Sequence, residues 1–192
     1  PEPQIQAALQ AGISCVVWVD ADAEREQYQD EFESAGLTLL TGCNLATGIA
    51  PALTAHEVAA ADTVLEVTTA WTEPGTAKRR GEPVAFPEPV GSRWGEPRPS
   101  EYADRAFAVR LSGEWAAAMA RVTGASEAGV VTRIVGVSDL AVHLEALALA
   151  AGAMVVADYP AGKARPADLG ETYLTRLLDA GLDVAAHTHD GN

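Results

Sequence analysis

The sequence predicts an α/β chain, and three observations carry that prediction. In the first third, short apolar runs alternate with helix-period segments, and each change of period is marked by a breaker. From Thr63 onward the pattern shifts to β-branched runs separated by turns, which read as a mixed or antiparallel sheet of its own. Helical patterns return only at Asp139.

Taken in order, Pro3 to Gln10 reads as a helix, Ile13 to Asp20 as a strand, Glu24 to Ala35 as a helix with Asp22 as its N-cap, and Leu37 to Thr41 as a strand. Gly12 and Gly36 stand where helix C-caps belong, and a further helix covers Ala50 to Ala60. This β/α alternation is the mark of a parallel sheet wrapped by helices. Thr63 to Trp71 is strand-like, and Phe107 to Leu111 with Ala116 to Val122 flank Ser112-Gly113-Glu114-Trp115 like a hairpin around its turn. Asp139 to Ala151 is apolar almost all round, which predicts a buried helix. Leu169, Tyr173, Leu174, Leu177 and Leu178 trace one face of another helix, with Asp168 and Glu171 as a capping box, Gly181 as its stop, and a last strand at Leu182 to Ala186. No internal repeat or low-complexity tract interrupts this order.

Composition bounds the function. A chain of 192 residues holds one large domain or two small ones, and 48% apolar content is that of a folded globular protein rather than a disordered one. A formal charge of -14 argues against nucleic acid as a partner, because that affinity comes from neutralising phosphates with Lys and Arg. The apolar run Ala146 to Ala157 is interrupted by Gly152 and falls short of the roughly 18 residues of a membrane span, so no membrane segment is expected. Cys15 and Cys43 make no disulfide framework, which points to the cytoplasm. With no initiator Met and no leader, the chain is expected to start inside a larger polypeptide.

The chemistry is expected around the stretch from Gly36 to Leu53, an apolar strand followed by a glycine-punctuated turn and a helix start. Ligands of open α/β sheets sit beyond the carboxyl ends of strands, so Gly42 and Gly48 around Cys43 and Asn44 mark a candidate active-site edge. Asp20 closes the preceding strand in the same position. The run V-W-V-D-A-D imitates a metal-binding or phosphatase-type D-x-D, but no later acidic pair supports it. Cys43 at a helix start is a candidate nucleophile, since a helix dipole stabilises a thiolate; its base would come from His56, His143, His187 or His189. The plainer reading of Cys43 is a small buried hydrophobe. His187 and His189 lack a third ligand of sensible spacing, so no metal is expected. Trp71, Trp94 and Trp115 read as core or loop anchors.

The segment from Pro74 to Ala103 holds six of the eleven prolines and five of the thirteen Lys and Arg residues. Prolines resist helix and central strand, so an irregular, extended excursion is expected to fold across the Gly42 to Gly48 cleft and present Arg79, Arg80 or Arg93 to an anion. The plainer alternative is that these cations only balance Glu82, Glu88, Glu96 and Glu101.

The order Q-A-A-L-Q-A-G-I-S-C-V-V-W-V-D, E-S-A-G-L-T-L-L-T-G, G-I-A-P-A-L, W-T-E-P-G-T-A-K-R-R-G and F-P-E-P-V-G, with the later P-A-D-L-G-E-T-Y-L-T-R-L-L-D-A-G, resembles the saccharopine dehydrogenase-like NAD(P)-dependent oxidoreductases. The resemblance implies that residues 1–48 are the C-terminal part of a Rossmann-type dinucleotide-binding domain. Residues 49–192 would then form a mixed-sheet substrate-binding and catalytic domain resembling the second domain of glyceraldehyde-3-phosphate dehydrogenases. It implies NAD or NADP as cofactor, with Gly42 and Asn44 on the cofactor side. Asp20 would lie near the nicotinamide or a substrate amine, and Arg79, Arg80 and Arg93 would hold the carboxylate of a small amino-acid-like substrate. The expected partners are that small molecule and further copies of the chain as a homo-oligomer. No G-x-G-x-x-G is present, so this chain should bind a dinucleotide poorly. Two rivals stand beside this reading: a Cys43-dependent aldehyde dehydrogenase, and a non-catalytic dimerisation module.

Overall fold

The first two helices end in the same way. In a computed structural model describing residues 2–20, 22–77, 79–127, 129–159 and 161–191, helix α1 (Glu2–Ala11) and helix α2 (Asp22–Ser34) each close on a glycine at φ +69°, Gly12 and Gly36. Only glycine adopts that backbone without strain. The next residue's amide then bonds back into the last turn, Ile13 N to Ala8 O at 3.1 Å and Leu37 N to Phe32 O at 2.8 Å. That satisfies carbonyls a helix end leaves orphaned and aims the chain into a strand. The strands are β1 (Cys15–Val17) and β2 (Thr38–Thr41), paired in parallel. Ile5 of α1, Tyr28 and Phe32 of α2 and Leu39 of β2 form one small core, so the period-3.6 faces of both helices pack on the sheet.

A third parallel strand, β9 (Gly162–Ala164), returns from far along the chain to pair with the other edge of β2. A division of the chain at residue 48 puts β9 with the second half, whereas its hydrogen bonds place it in the first sheet.

The larger sheet has seven strands in the order β10-β8-β7-β3-β6-β5-β4. They are β3 (Thr63–Pro74), β4 (Glu82–Ala85), β5 (Ser92–Arg98), β6 (Arg105–Leu111), β7 (Trp115–Ser126), β8 (Gly129–Leu140) and β10 (Ala185–Gly191). The sheet is mixed: β3 and β6 run parallel and the other pairs antiparallel. The expected hairpin of Phe107–Leu111 with Ala116–Val122 is not formed. Strand β3 lies between the two, parallel to β6 and antiparallel to β7, and the hairpin that β7 does form is with β8. The proline-rich excursion is also more regular than expected, since it carries β4 and β5 at the sheet's end, where prolines are tolerated.

One face of this sheet is covered by helices. Leu53 of α3 (Ala50–Ala59), Leu144 and Ala148 of α4 (Ala141–Asp158), and Tyr173 and Leu177 of α6 (Glu171–Asp179) share a core with Ala118 of β7, Val137 of β8 and Leu40 of β2. The two sheets therefore share one core. By length and composition α4 could cross a membrane, contrary to the expectation of no such segment, with 18 residues at mean hydropathy 1.5; its Leu144, Leu147, Ala151 and Val155 are spent on this core. Phe86 and Val90, in the β4–β5 connection, cover part of the opposite face over Phe107 and Met119. The short helix α5 (Pro166–Leu169) precedes α6; Asp168 caps α5 through the Arg165 amide rather than forming a box with Glu171.

Candidate functional site

Beyond the carboxyl ends of β1 and β2 the backbone keeps pairing for two more residues, Gly42 N to Val19 O at 2.9 Å and Cys43 N to Val17 O at 3.1 Å. The chain then enters a π-helical turn, Leu45–Ile49, which runs straight into α3. Asn44 fixes this turn. Its Oδ1 accepts from the amides of Ala46 and Thr47 at 2.8 and 3.0 Å, and its Nδ2 donates to the Trp18 carbonyl at 2.8 Å. The Thr47 hydroxyl donates to the Gly42 carbonyl at 2.9 Å, and a β-carbon on Gly42 would lie 2.7 Å from that hydroxyl oxygen. Gly42, at φ +80°, is thus required both by its backbone and by the closeness of Thr47.

A cavity of about 380 Å³ opens there. Asp20, Thr41, Gly42 and Thr47 form the wall at the strand ends, and Thr69 and Trp71 of β3 form the opposing wall. The segment Pro99–Tyr102 after β5 and Arg165 after β9 close the rim. The Arg165 guanidinium engages Asp168 twice, at 3.2 Å through Nε and 3.1 Å through Nη2, and donates to Glu101 at 3.2 Å. It also lies 5.8 Å from the centre of the Tyr102 ring, within cation–π range. Hydrogen bonding to Asp168 is the first cause that raises its pKa above the usual guanidinium range. Arg165 therefore ties the start of α5 to the β5–β6 connection. Trp71 is oriented by donation from its indole nitrogen to Glu73 at 3.3 Å.

Of the residues singled out in the sequence, Asp20 and Gly42 meet in this cavity. Asn44 stands behind it: its oxygen and its amide nitrogen are both bonded to backbone, so it shapes the turn rather than facing a ligand. The proline-rich excursion does reach the cleft, as expected, but through Pro99–Tyr102. Arg79 and Arg93 line a different concavity at the opposite end of β5, and Arg80 lines neither. The reason is topological, because pairing of β4 with β5 holds Arg93 opposite Val84 at the start of β5 while the cavity lies past its end. Arg165 and Tyr102 escaped the sequence reading, and Glu101 entered it only as a carboxylate balancing the excursion's cations. The only local hint was a cation just before Pro166 in R-P-A-D-L, a helix-start pattern.

Cys43 is fully buried and does not line the cavity. Burial pushes its thiol up to about 12, with a hydrogen bond to Tyr173 only partly opposing the shift. That is the reverse of an activated thiolate. None of the four histidines lines the cavity: His143 pairs with Asp139 at 2.6 Å at the start of α4, and His187 and His189 lie exposed on β10. Among the described residues no group of three His, Cys, Asp or Glu is placed to hold a metal.

The raised thiol pKa has a sign that can be checked. The folded state holds the Cys43 proton more tightly than the unfolded chain, whose value is near the ordinary 9.0, so the associated stability is complete below pH 9.0 and is lost as pH rises towards 12. Denaturant unfolding from pH 7 to 10 is expected to show wild type losing stability above pH 9 relative to Cys43→Ala; a constant difference between the two would contradict the burial. A thiol reagent on the native protein should modify half-buried Cys15 well before Cys43.

No protein-family model and no curated protein sequence matches this chain.

Proposed function

We propose that the cavity is the substrate pocket of an NAD(P)-dependent oxidoreductase acting on a small amino-acid-like molecule that carries a carboxylate. The observation that supports this reading most is position: the cavity lies beyond the carboxyl ends of parallel strands β1 and β2, where open α/β sheets bind ligands, and faces a second, mixed sheet. In this reading the three-stranded sheet is the end of a Rossmann-type domain and the seven-stranded sheet the substrate domain. Hydride transfer belongs to the nicotinamide, so the protein supplies position and field.

Arg165 takes the part that Arg79, Arg80 and Arg93 cannot take from their side of the sheet. Three of its five N–H donors are used by Asp168 and Glu101, which leaves the fork oriented and able to add a substrate carboxylate. Asp20 faces the substrate amine, and Trp71 and Tyr102 supply the apolar walls. A volume of about 380 Å³ suits a small substrate beside a nicotinamide ring and not a whole dinucleotide. With no G-x-G-x-x-G in the sequence, this chain holds NAD or NADP weakly. Two free cysteines accord with a cytoplasmic setting, and a homo-oligomer belongs to the same reading.

The test is calorimetric titration with a panel of 2-amino and 2-oxo carboxylates. Arg165→Met is expected to weaken both classes by about one to two decades, the value of a charged hydrogen bond of roughly 1.5–3 kcal/mol, with Arg165→Lys recovering part. Asp20→Asn should weaken the amines selectively. Binding that is equal in wild type and Arg165→Met, or absent throughout, would remove this pocket as the substrate site.

A further inference from the structure

At the end of β5 away from this cavity lies a second concavity of about 340 Å³, lined by Ala77, Arg79, Ser92, Arg93, Trp94, Val109 and Arg110. Three arginines line it, on a chain whose formal charge is -14, so chance alone would supply carboxylates to match them. The neighbouring carboxylates are spent elsewhere. Glu73 stands in register with Arg110 across β3 and β6, yet its carboxylate accepts from Trp71 at 3.3 Å and from Arg98 at 3.4 Å. Glu96 pairs with Arg98 at 3.7 Å, and Glu82 pairs with Arg105. Among the described residues no carboxylate pairs with Arg79, Arg93 or Arg110; the one side-chain bond in the group runs from Arg93 to the Ser92 carbonyl, at 2.8 Å.

The surroundings keep the cluster together. Arg93 and Trp94 are held by antiparallel pairing of β5 with Val84 and Pro83 of β4. Arg110 lies against Gly75, where an added β-carbon would sit 3.3 Å from its Nη1 and 3.4 Å from its Cδ. A side chain at position 75 would crowd the guanidinium that this glycine admits. Trp94 is 47% exposed and lines the same concavity as the three arginines.

We propose that this concavity is a binding site for a phosphate group, with the planar part of the same ligand against Trp94. Guanidinium forks match phosphate oxygens in pairs, three unneutralised cations suit a dianion, and the volume lies in the range of small-ligand sites, roughly 300–1,000 Å³. The site is separate from the substrate cavity and does not depend on it: one lies at Ser92–Trp94 where β5 begins, the other at Pro99–Tyr102 where β5 has ended.

The experiment is a titration of the full chain with inorganic phosphate and with adenosine monophosphate at low ionic strength, read by tryptophan fluorescence and by calorimetry. Both are expected to saturate, the nucleotide more tightly, with affinity falling as salt rises. Arg93→Gln with Arg110→Gln should weaken both by tenfold or more while circular dichroism and melting stay those of wild type. Arg93→Lys should recover part of the loss, and Trp94→Phe should remove the fluorescence change and the advantage of the nucleotide over phosphate. Asp20→Asn should leave both affinities unchanged, so failure of the substrate pocket and failure of this site read out separately. The proposal is overturned if neither probe saturates, if the double variant binds as wild type does, or if Asp20→Asn weakens phosphate as much as the arginine changes do.

Discussion

Replacing Arg133 by methionine is expected to lower the unfolding free energy by about 3 kcal/mol, the lower end of the range for removing one partner of a buried ion pair. Glu57 of α3 is 1% exposed and faces Arg133 of β8, with Nε to Oε2 at 2.7 Å. Taking away the guanidinium leaves a carboxylate inside the seam between helix and sheet with no other charge-bearing partner among the described residues. The guanidinium side is 41% exposed, which is why the lower end applies: water reaches part of the pair. Replacing both, Glu57→Leu with Arg133→Met, should recover most of the loss, because the cost lies in the unpaired charge and not in the absence of the bridge. Denaturant unfolding of the four proteins gives the coupling directly. Additive single losses with no recovery in the double variant would show that the pair is not a unit. The bridge joins α3 to β8, and α3 begins where the π-helical turn beside the cavity ends, so the ion pair and the cavity share one element.

What was legible in the sequence was local. The apolar periods of the first third and their glycine stops translate directly into α1, β1, α2 and β2. Gly181 behaves as expected too, with Leu182 N bonding to Leu177 O at 2.9 Å. The helix beginning near Asp139 was legible as a helix, but its all-round apolar character overstated its burial: Leu144, Leu147, Ala148, Ala151 and Val155 face the core, while Val142 and Leu149 stay exposed. Asp20 and Gly42 could be placed in the cavity because each stands at the end of its own strand. What could not be read was pairing between distant segments. The strand β6 lies beside β3, more than thirty residues earlier, and no pattern within Phe107–Leu111 distinguishes that partner from the nearer β7. Strand β8 hides because only Val135 to Val137 is buried along its length, with half-exposed Arg133 in its middle paired to Glu57 of α3. Arg165 reaches the cavity only because β9 adds to β2, Ala164 opposite Leu40, over one hundred residues after the turn it completes. Cations near a cleft in sequence, Arg79, Arg80 and Arg93, were a weaker guide than the strand register that carried them away from it.

A valine at position 152 is expected to cost about 3 kcal/mol or somewhat more, and alanine about 1–2 kcal/mol, although glycine is the poorer helix former and alanine should by propensity alone stabilise α4 by close to 1 kcal/mol. The sign is decided by space. A β-carbon on Gly152 would lie 2.8 Å from the Cys43 sulfur, 2.8 Å from Cγ1 of Val16 and 3.3 Å from Cδ2 of Leu40, so α4 lies directly on β1 and on the turn leaving β2. Cys43 and Leu40 are fully buried and cannot swing aside into water, and Val16 is half-buried. On the far side of Cys43 the Tyr173 hydroxyl donates to the Ala148 carbonyl at 2.7 Å and approaches Gly48, where an added β-carbon would be 3.3 Å away. Cys43 is thus clamped between α4, α6 and the π-helical turn, which explains its protonated thiol and gives it a packing role in place of the nucleophilic one. If that is its role, Cys43→Ala should recover much of the loss in Gly152→Ala, because the removed sulfur is one of the two nearest atoms. For a chain of this size 3 kcal/mol corresponds to a fall of roughly 6–12 °C in melting temperature, well within reach of a thermal scan. A Gly152→Ala protein as stable as wild type, or a Cys43→Ala change that adds its own cost in full to that of Gly152→Ala, would show that the helix does not approach the sheet as closely as this packing requires.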